Sequence, residues 1–424
     1  MEGPPLSGDP RQVACHYYVA GIDVHKTMLA VVVANVSERE LRFECRRFGT
    51  TVSELQNLSA WLRAHTVQEV VMESTAQYWK PVWLALEGQF QLWLAQARSN
   101  RGPRGRKTDF RDAKRCVSRL LSDDLRLSYV PDAEQRCWRT LTRTKYQLRR
   151  DRVRLQSQLE SLLEECQIKL SSVVSDLLGA SGQRILRAIA AGETDPAQLG
   201  ALGDKRLHAT DAQLKDALSG QPQPAHRALL TLYLQRLDVI EAQMAELERM
   251  IADALKAHEA AIVRLSELPG LGVDSAQQII AEIGPRAEAY PSAGQLASWV
   301  GVCPGREESN GESNSNRSAK GNRTMRRLLN QLAHAAVRKR DCYLQIVFKR
   351  LSVRLGYAKA VWAVAHRLCG LIWKVLHEGV RYVERGPAVS ALTLRRRKQR
   401  LVAQLKKLGY SVQLTPITAS ETTL

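Results

Sequence analysis

Four acidic residues in the first third of the chain stand out by type and spacing. Asp23 closes an apolar stretch in Ala20-Gly21-Ile22-Asp23-Val24-His25-Lys26, and Glu73 follows the apolar run Val70-Val71-Met72. Asp109 and Asp112 stand three apart in Lys107-Thr108-Asp109-Phe110-Arg111-Asp112-Ala113, at the expected start of a helix. The i, i+3 spacing puts that pair on one helical face, and two strand-ending acids can converge with it at one edge of a sheet. Hard cations such as Mg2+ take oxygen ligands, with water and phosphate completing the octahedron. Two such ions about 4 Å apart activate an attacking oxygen and stabilise a leaving one in phosphodiester chemistry. Singly, each acid has a plainer reading, because an acid ending a strand often forms a turn and acids in a first helical turn complement the dipole. Their order and contexts together are what point to chemistry.

A second chemical group lies far downstream. The segment Gly301-Val302-Cys303-Pro304-Gly305-Arg306-Glu307-Glu308-Ser309-Asn310-Gly311 leads through a Ser- and Asn-rich stretch to Lys320-Gly321-Asn322-Arg323. By composition, residues 305–319 read as a flexible loop and Ser309 as a turn residue. A serine hydroxyl is a weak nucleophile that needs a base or a metal, and no histidine lies near it in sequence. The eight cysteines form no CxxC pair, which predicts reduced, mostly buried thiols. His366 and Cys369, one turn apart on an expected helix, lack the second pair that a zinc site needs.

The elements that must position these groups follow from hydrophobic periodicity. Residues 1–16 show no basic-then-apolar leader and read as disordered. Tyr17 to Asn35 reads as strand on both sides of a turn near Asp23–Lys26, Leu41 to Phe48 as a further strand, and Val52 to Ala64 as a helix. A short strand at Val70–Met72, a helix around Trp79–Leu86 and a strand at Phe90–Ala97 come next, then a Gly- and Arg-rich loop and a helix with Ala113, Val117, Leu120 and Leu121 inward. This alternation over 17–130 predicts a mixed sheet flanked by helices. From 131 to 258 the pattern is helical, with breaks near Gly192–Gly203 and Pro222–Pro224. Leu141, Leu148, Leu155 and Leu162 repeat every seven residues, and Leu230, Tyr233, Leu237, Ile240, Met244, Leu247, Ile251 and Ala254 fit a and d positions. An antiparallel coiled coil, an oligomer seam or a plain bundle all satisfy that pattern. Residues 259–390 read as a mostly helical domain, and 391–424 as a basic helix with a disordered tail. Within it, Ile262–Gly284 reads as two helices joined by Leu268-Pro269-Gly270-Leu271-Gly272, a helix-hairpin-helix in which Gly270 and Gly272 let backbone N–H groups approach phosphate; a tight turn between packed helices is the plainer alternative.

Charge indicates the partner. The chain of 424 residues carries 62 basic and 43 acidic residues, a formal charge of +19, which favours a polyanion through counterion release. An anionic membrane would exert the same pull, but no apolar run approaches the roughly 18 residues a span needs. Nucleic acid in the cytoplasm is the expectation. Eight basic residues against one acid, Asp151, lie between Arg136 and Arg154, and a stripe of one sign reads as a nucleic-acid face. Candidate contacts are Arg104, Arg106, Lys107, Arg139, Arg143, Arg150, Gly270, Gly272, Lys320 and Arg323.

The motifs GIDVHK around Asp23, MEST around Glu73 and KTDFRDA around Asp109 and Asp112 resemble the signature of the DEDD transposases of insertion sequences. The resemblance spans roughly residues 17–124 and 262–370. It implies a RuvC-like N-terminal domain with a ribonuclease H fold, giving an α/β plus α fold class. It also implies that Asp23, Glu73, Asp109 and Asp112 hold Mg2+ (or Mn2+). The same family carries a GxxP…S-x-G…G-N…R block whose serine is the second catalytic element. Ser309 matches it, whereas Ser313, Ser315 and Ser318 are less well placed. Further implications are DNA cutting and rejoining, homodimers or homotetramers with composite sites, a structured guide RNA encoded by the element, and residence at the bacterial nucleoid. The sequence departs from the family at Ala76, where glycine is usual, and at Glu312 and Asn316, where basic residues are frequent. Two rival readings are a metal-dependent junction-resolving nuclease, which shares the carboxylates but not the serine, and a non-enzymatic nucleic-acid-binding protein.

Overall fold

The computed structural model describes residues 17–36, 41–73, 76–96, 108–204, 207–304, 307–309, 312–315, 318, 320–340, 342–384 and 391–414. Arg104, Arg106, Lys107 and the expected disordered N-terminus lie outside them. The chain divides into two compact units, Met1–Pro131 and Asp132–Leu424.

The first unit is built on a mixed five-stranded sheet. Its strands are β1 (Tyr17–Val24), β2 (Met28–Val36), β3 (Leu41–Gly49), β4 (Glu69–Glu73) and β5 (Gln91–Ala95), in the spatial order β3-β2-β1-β4-β5. The first three pair antiparallel, and β4 and β5 run parallel to β1. Helices α1 (Val52–Ala64) and α2 (Trp79–Leu86) cover one face and α3 (Asp109–Leu121) the other. Alternation decides which residues meet which layer. Ala20, Ile22, Val24, Val70 and Met72 join the cluster with α1 and α2. Val19 and Val71 join the cluster with Ala113, Cys116 and Val117 of α3.

Among its described residues the second unit is helical apart from one strand pair. It runs α4 (Ala133–Glu165), α5 (Leu170–Val173), α6 (Ala180–Ala191), α7 (Pro196–Ala201), α8 (Asp211–Ala217), α9 (Pro224–Ala254), α10 (Glu259–Ser266), α11 (Val273–Ile283), α12 (Ala293–Val300), β6 (Glu307–Ser309), β7 (Glu312–Ser315), α13 (Arg323–Arg338), α14 (Tyr343–Leu355), α15 (Tyr357–His377) and α16 (Ala391–Lys407). The long helices α4 and α9 run antiparallel. Lys145 pairs with Glu248, Arg152 with Glu241 and Gln158 with Arg236, so numbers rise on one as they fall on the other. Leu155, Leu162, Leu230, Leu237, Ile240 and Ile251 are buried between and beneath them. The heptad pattern thus finds apolar cover within a single chain.

The flexible loop expected at 305–319 is corrected by β6 and β7, which pair antiparallel with Ser309 opposite Glu312. Composition missed this because a polar hairpin lacks apolar alternation. A sequence signal was present, however: the two residues joining Ser309 to Glu312 are Asn310-Gly311, a preferred hairpin dipeptide. Among the described residues no disulfide forms. Cys116, Cys166, Cys342 and Cys369 are buried free thiols, and burial pushes the Cys369 thiol up to about 12. No described helix is long and apolar enough to cross a membrane.

Candidate active site

The register of the sheet places the first two acids side by side. Ile22 of β1 lies level with Met72 of the parallel β4, so Asp23 and Glu73 end neighbouring strands at their carboxyl edge. That edge is where ligands bind in open α/β sheets. Both residues fall on the parity of Val19, Gly21 and Val71, which is the α3 face. Helix α3 begins at this edge, and its first turn carries Asp109 and Asp112. Ligand atoms of Asp23, His25 and Asp109 all lie within 4.8 Å of one another. His25 Nε2 stands 3.2 Å from Asp23 Oδ2 and 3.4 Å from Asp109 Oδ1. Asp112 is paired with Arg115 one turn along the helix, and Arg47 stands 4.0 Å from Asp109.

The electrostatics of the cluster follow from crowding. Burial pushes the Asp23 carboxyl above its ordinary range, His25 opposes that shift, and the charges of Asp112, Asp109 and Glu73 add to it. Like charges gathered in a partly desolvated place are costly unless a cation joins them. The donor set of carboxylates with one imidazole fits a divalent metal. Sequence reasoning passed over His25 as a donor. The signal was its position two residues beyond a strand-ending acid, in a turn that points it back toward the edge. The backbone at Ala76 has φ +45, a conformation that disfavours side chains. A relative carrying glycine there would adopt it without strain.

Gly21 explains how α3 comes so close. A Cβ at this position would sit 2.3 Å from the Ala113 carbonyl oxygen and 2.7 Å from Val117 Cγ2. Gly21→Ala must therefore displace α3 and the acids at its start. We expect a loss of about 1–3 kcal/mol from overpacking and a drop of about ten-fold in Mn2+ affinity, as when a supporting shell is disturbed. Thermal unfolding and a Mn2+ titration read the two effects. Unchanged values for both would remove the proposed role of this glycine.

In the second unit the polar motif around Ser309 has a structural neck. A Cβ on Gly321 would lie 2.2 Å from the Val300 carbonyl carbon, so the chain leaving the hairpin passes tightly against the chain entering it. The Asn322 N–H donates to the Trp299 carbonyl at 3.0 Å. Arg326 donates to the Gly301 carbonyl and to Ser318 Oγ, and its guanidinium lies 4.5 Å from the Trp362 ring centre. Arg326, rather than the exposed Arg323, is the arginine of this neck. Asn322 caps α13 through its side-chain oxygen and donates from Nδ2 to Glu282 at 3.2 Å.

Glu282 is fully buried and gathers the basic face of α4. Arg143 meets it in a two-pronged contact of 2.8 and 2.9 Å, and Arg139 lies 3.6 Å away. Lys145 pairs with Asp274 and Glu248. Arg139 and Arg143, expected from charge to contact nucleic acid, thus have internal partners, although Arg143 stays exposed, as Arg150 and Lys320 are. Gly270 (φ +83) packs against α13, where a Cβ would meet Ala336 N at 2.7 Å. Its form serves helix packing. Gly272, at the start of α11, has open space at its Cβ position.

Asp23, Glu73, Asp109 and Asp112 belong to the first unit and Ser309 to the second. Residues 20–168 match the DEDD transposase family model of the IS110 group, and residues 263–346 match the model described as the IS116/IS110/IS902 transposase family. No curated protein matches the chain. The two matched segments define the class, a transposase acting on DNA. The chain belongs to the IS116/IS110/IS902 transposase family.

Proposed function

We propose that this transposase cuts and rejoins DNA with a divalent-metal centre held by Asp23, Glu73, Asp109 and Asp112 and with Ser309 as nucleophile. The observation that carries this reading is the meeting of strand-end and helix-start acids at one sheet edge, where burial first, and then the charges of Asp112, Asp109 and Glu73, push the Asp23 carboxyl above its ordinary range. Mg2+, or Mn2+ in its place, would supply charge neutralisation and activation of an oxygen nucleophile. Asp23, Glu73, Asp109 and Asp112 would hold it, with the His25 imidazole beside Asp23 and Asp109 as a further donor. Ser309 Oγ would form a bond to phosphorus as the bond to the leaving deoxyribose oxygen breaks, and that oxygen takes up the proton. The phosphoserine conserves the bond until a second strand hydroxyl attacks it and frees the serine.

The proposed organisation is a RuvC-like domain (17–130), a helical coiled-coil spacer (131–258) and a C-terminal transposase domain (259–390) with a helix-hairpin-helix. The sheet order supports the first part, and the antiparallel pairing of α4 with α9 inside one chain supports the second. A homodimer or homotetramer with composite sites is part of this proposal. A guide RNA and DNA would both be held by phosphate contacts, for which the +19 charge and the exposed Arg150, Lys320 and Arg323 are suited.

The test is Asp23→Asn. Mn2+ should raise the melting temperature of the parent protein, since a ligand bound only by the folded state stabilises it. The variant should lose that increment and lose DNA cutting. Without added metal it should melt no lower than the parent, because an acid whose pKa is raised on folding destabilises the fold once ionised, and asparagine removes that charge. A variant that still cuts and still responds to Mn2+ would end this reading.

A further inference from the structure

We infer that Arg47 grips a phosphate of the DNA strand presented to the acid cluster. The inference rests on the metal-centre reading above and adds a substrate contact to it. Arg47 lies on β3, the edge strand, directly opposite Ala30 of β2, which is itself opposite Asp23 of β1. Residues directly opposite across strands project to the same face, and the β1–β4 register sets Glu73 level with Asp23. One rung of the sheet therefore runs Arg47, Ala30, Asp23, Glu73. It carries a cation at its open end, a single methyl in the middle and two acids beyond.

The guanidinium is aimed along this rung toward the acids. It stands 4.0 Å from Asp109 Oδ2 and 5.4 Å from the centre of the Phe110 ring, and the side chain stays 64% exposed. An ion pair this open, to a carboxylate 36% exposed itself, contributes little to stability. Phe110, beside Asp109 on the first turn of α3, limits the directions the fork can take. Two other cations near the acids differ in setting. Arg115 is bonded to Asp112, and Lys114 lies over Phe43, 4.9 Å from its ring centre. Asp23 and Asp109 would hold a metal that draws a phosphodiester to this edge, whose non-bridging oxygens would need a further donor. An arginine fork matches two such oxygens, and Arg47 stands 4.0 Å from Asp109.

The experiment uses the full-length protein, a fluorescent duplex DNA and a salt titration, with Mn2+ binding measured in parallel. Arg47→Ala should weaken DNA binding about ten-fold, the effect of one charged hydrogen-bonded contact. The slope of log affinity against log salt should fall by about one. Arg47→Lys should restore the slope while recovering only part of the affinity, because a point charge replaces the fork. Mn2+ affinity should not fall in either variant, since Arg47 and the ion compete for Asp109. An unchanged slope in Arg47→Ala, or a parallel loss of Mn2+ and DNA binding, would overturn the inference and leave Arg47 a counter-ion of Asp109. The metal-centre reading fails separately, through retained Mn2+ response and cutting in Asp23→Asn.

Discussion

Replacing Ser309 by alanine should abolish the denaturation-resistant protein–DNA adduct and with it strand joining, a loss on the order of 10³-fold or more. The change removes one oxygen from the end of β6, a strand held by backbone pairing to β7, so folding has little reason to suffer. The Mn2+-dependent rise in melting temperature should survive, because it depends on the first unit alone. These readouts separate the two enzymatic readings. A junction-resolving nuclease uses a metal-activated water and would cut as before in the alanine variant. A serine-dependent transposase would bind metal and DNA and leave the DNA whole. Adduct formation in Ser309→Ala would transfer the role to another residue of the hairpin or remove covalent catalysis altogether.

The two chemical regions differed in how much their sequence disclosed. The sheet of the first unit was legible because Val, Ile and Met runs have no comfortable place except a buried strand, and parity along β1 and β4 then assigns Asp23 and Glu73 to one face. Asp109 and Asp112 were legible as a pair through helical spacing. What the sequence did not disclose was the contact between α3 and β1 that brings the pair to the strand ends. Gly21 is its trace, a glycine in a strand where only close backbone approach explains it. His25 and Arg47 were missed for a related reason. Each reaches the acids across a turn or a rung, and neither separation leaves a periodic signal.

The basic stripe on α4 shows a different limit. Counted along the chain, the residues from Arg136 to Arg154 have almost no acidic neighbours, which is why they read as a nucleic-acid face. Their counter-charges come from other helices: Glu282 and Asp274 on α11, Glu241 and Glu248 on α9. Charge balance in a helical bundle is set across helices, and a linear count cannot see it. Part of the +19 charge is thus neutralised pairwise inside the second unit. The surface left for the proposed nucleic-acid contact is therefore smaller than the stripe implies, with the exposed Arg150 among its candidates.

Glu282→Gln is the substitution expected to cost the second unit most stability. The carboxylate is fully buried, faces Arg143 and Arg139, and accepts from Asn322. Glutamine keeps the shape but sets two guanidinium groups against a neutral amide. Because Arg143 is half exposed and Arg139 keeps the Ala281 and Glu282 carbonyls, the loss is that of charged hydrogen bonds, about 2–3 kcal/mol. Chemical denaturation of the full chain should show that loss as an earlier midpoint in the helical signal. A second variant separates stability from function: Glu282→Leu combined with Arg139→Leu and Arg143→Met replaces the charges with apolar groups, which is often neutral or stabilising. Should this triple variant recover its denaturation midpoint yet still form little adduct, the network would be shown to do more than hold helices together. Its route to the serine is short. Asn322 is bonded to Glu282 at one end of its amide and caps α13 with the other, and its own N–H ties the exit of the hairpin to Trp299 at the entrance. Losing Glu282 frees that amide to turn, and the strand bearing Ser309 is then no longer fixed at its neck. Full recovery of both midpoint and adduct in the triple variant would instead confine Glu282 to stability.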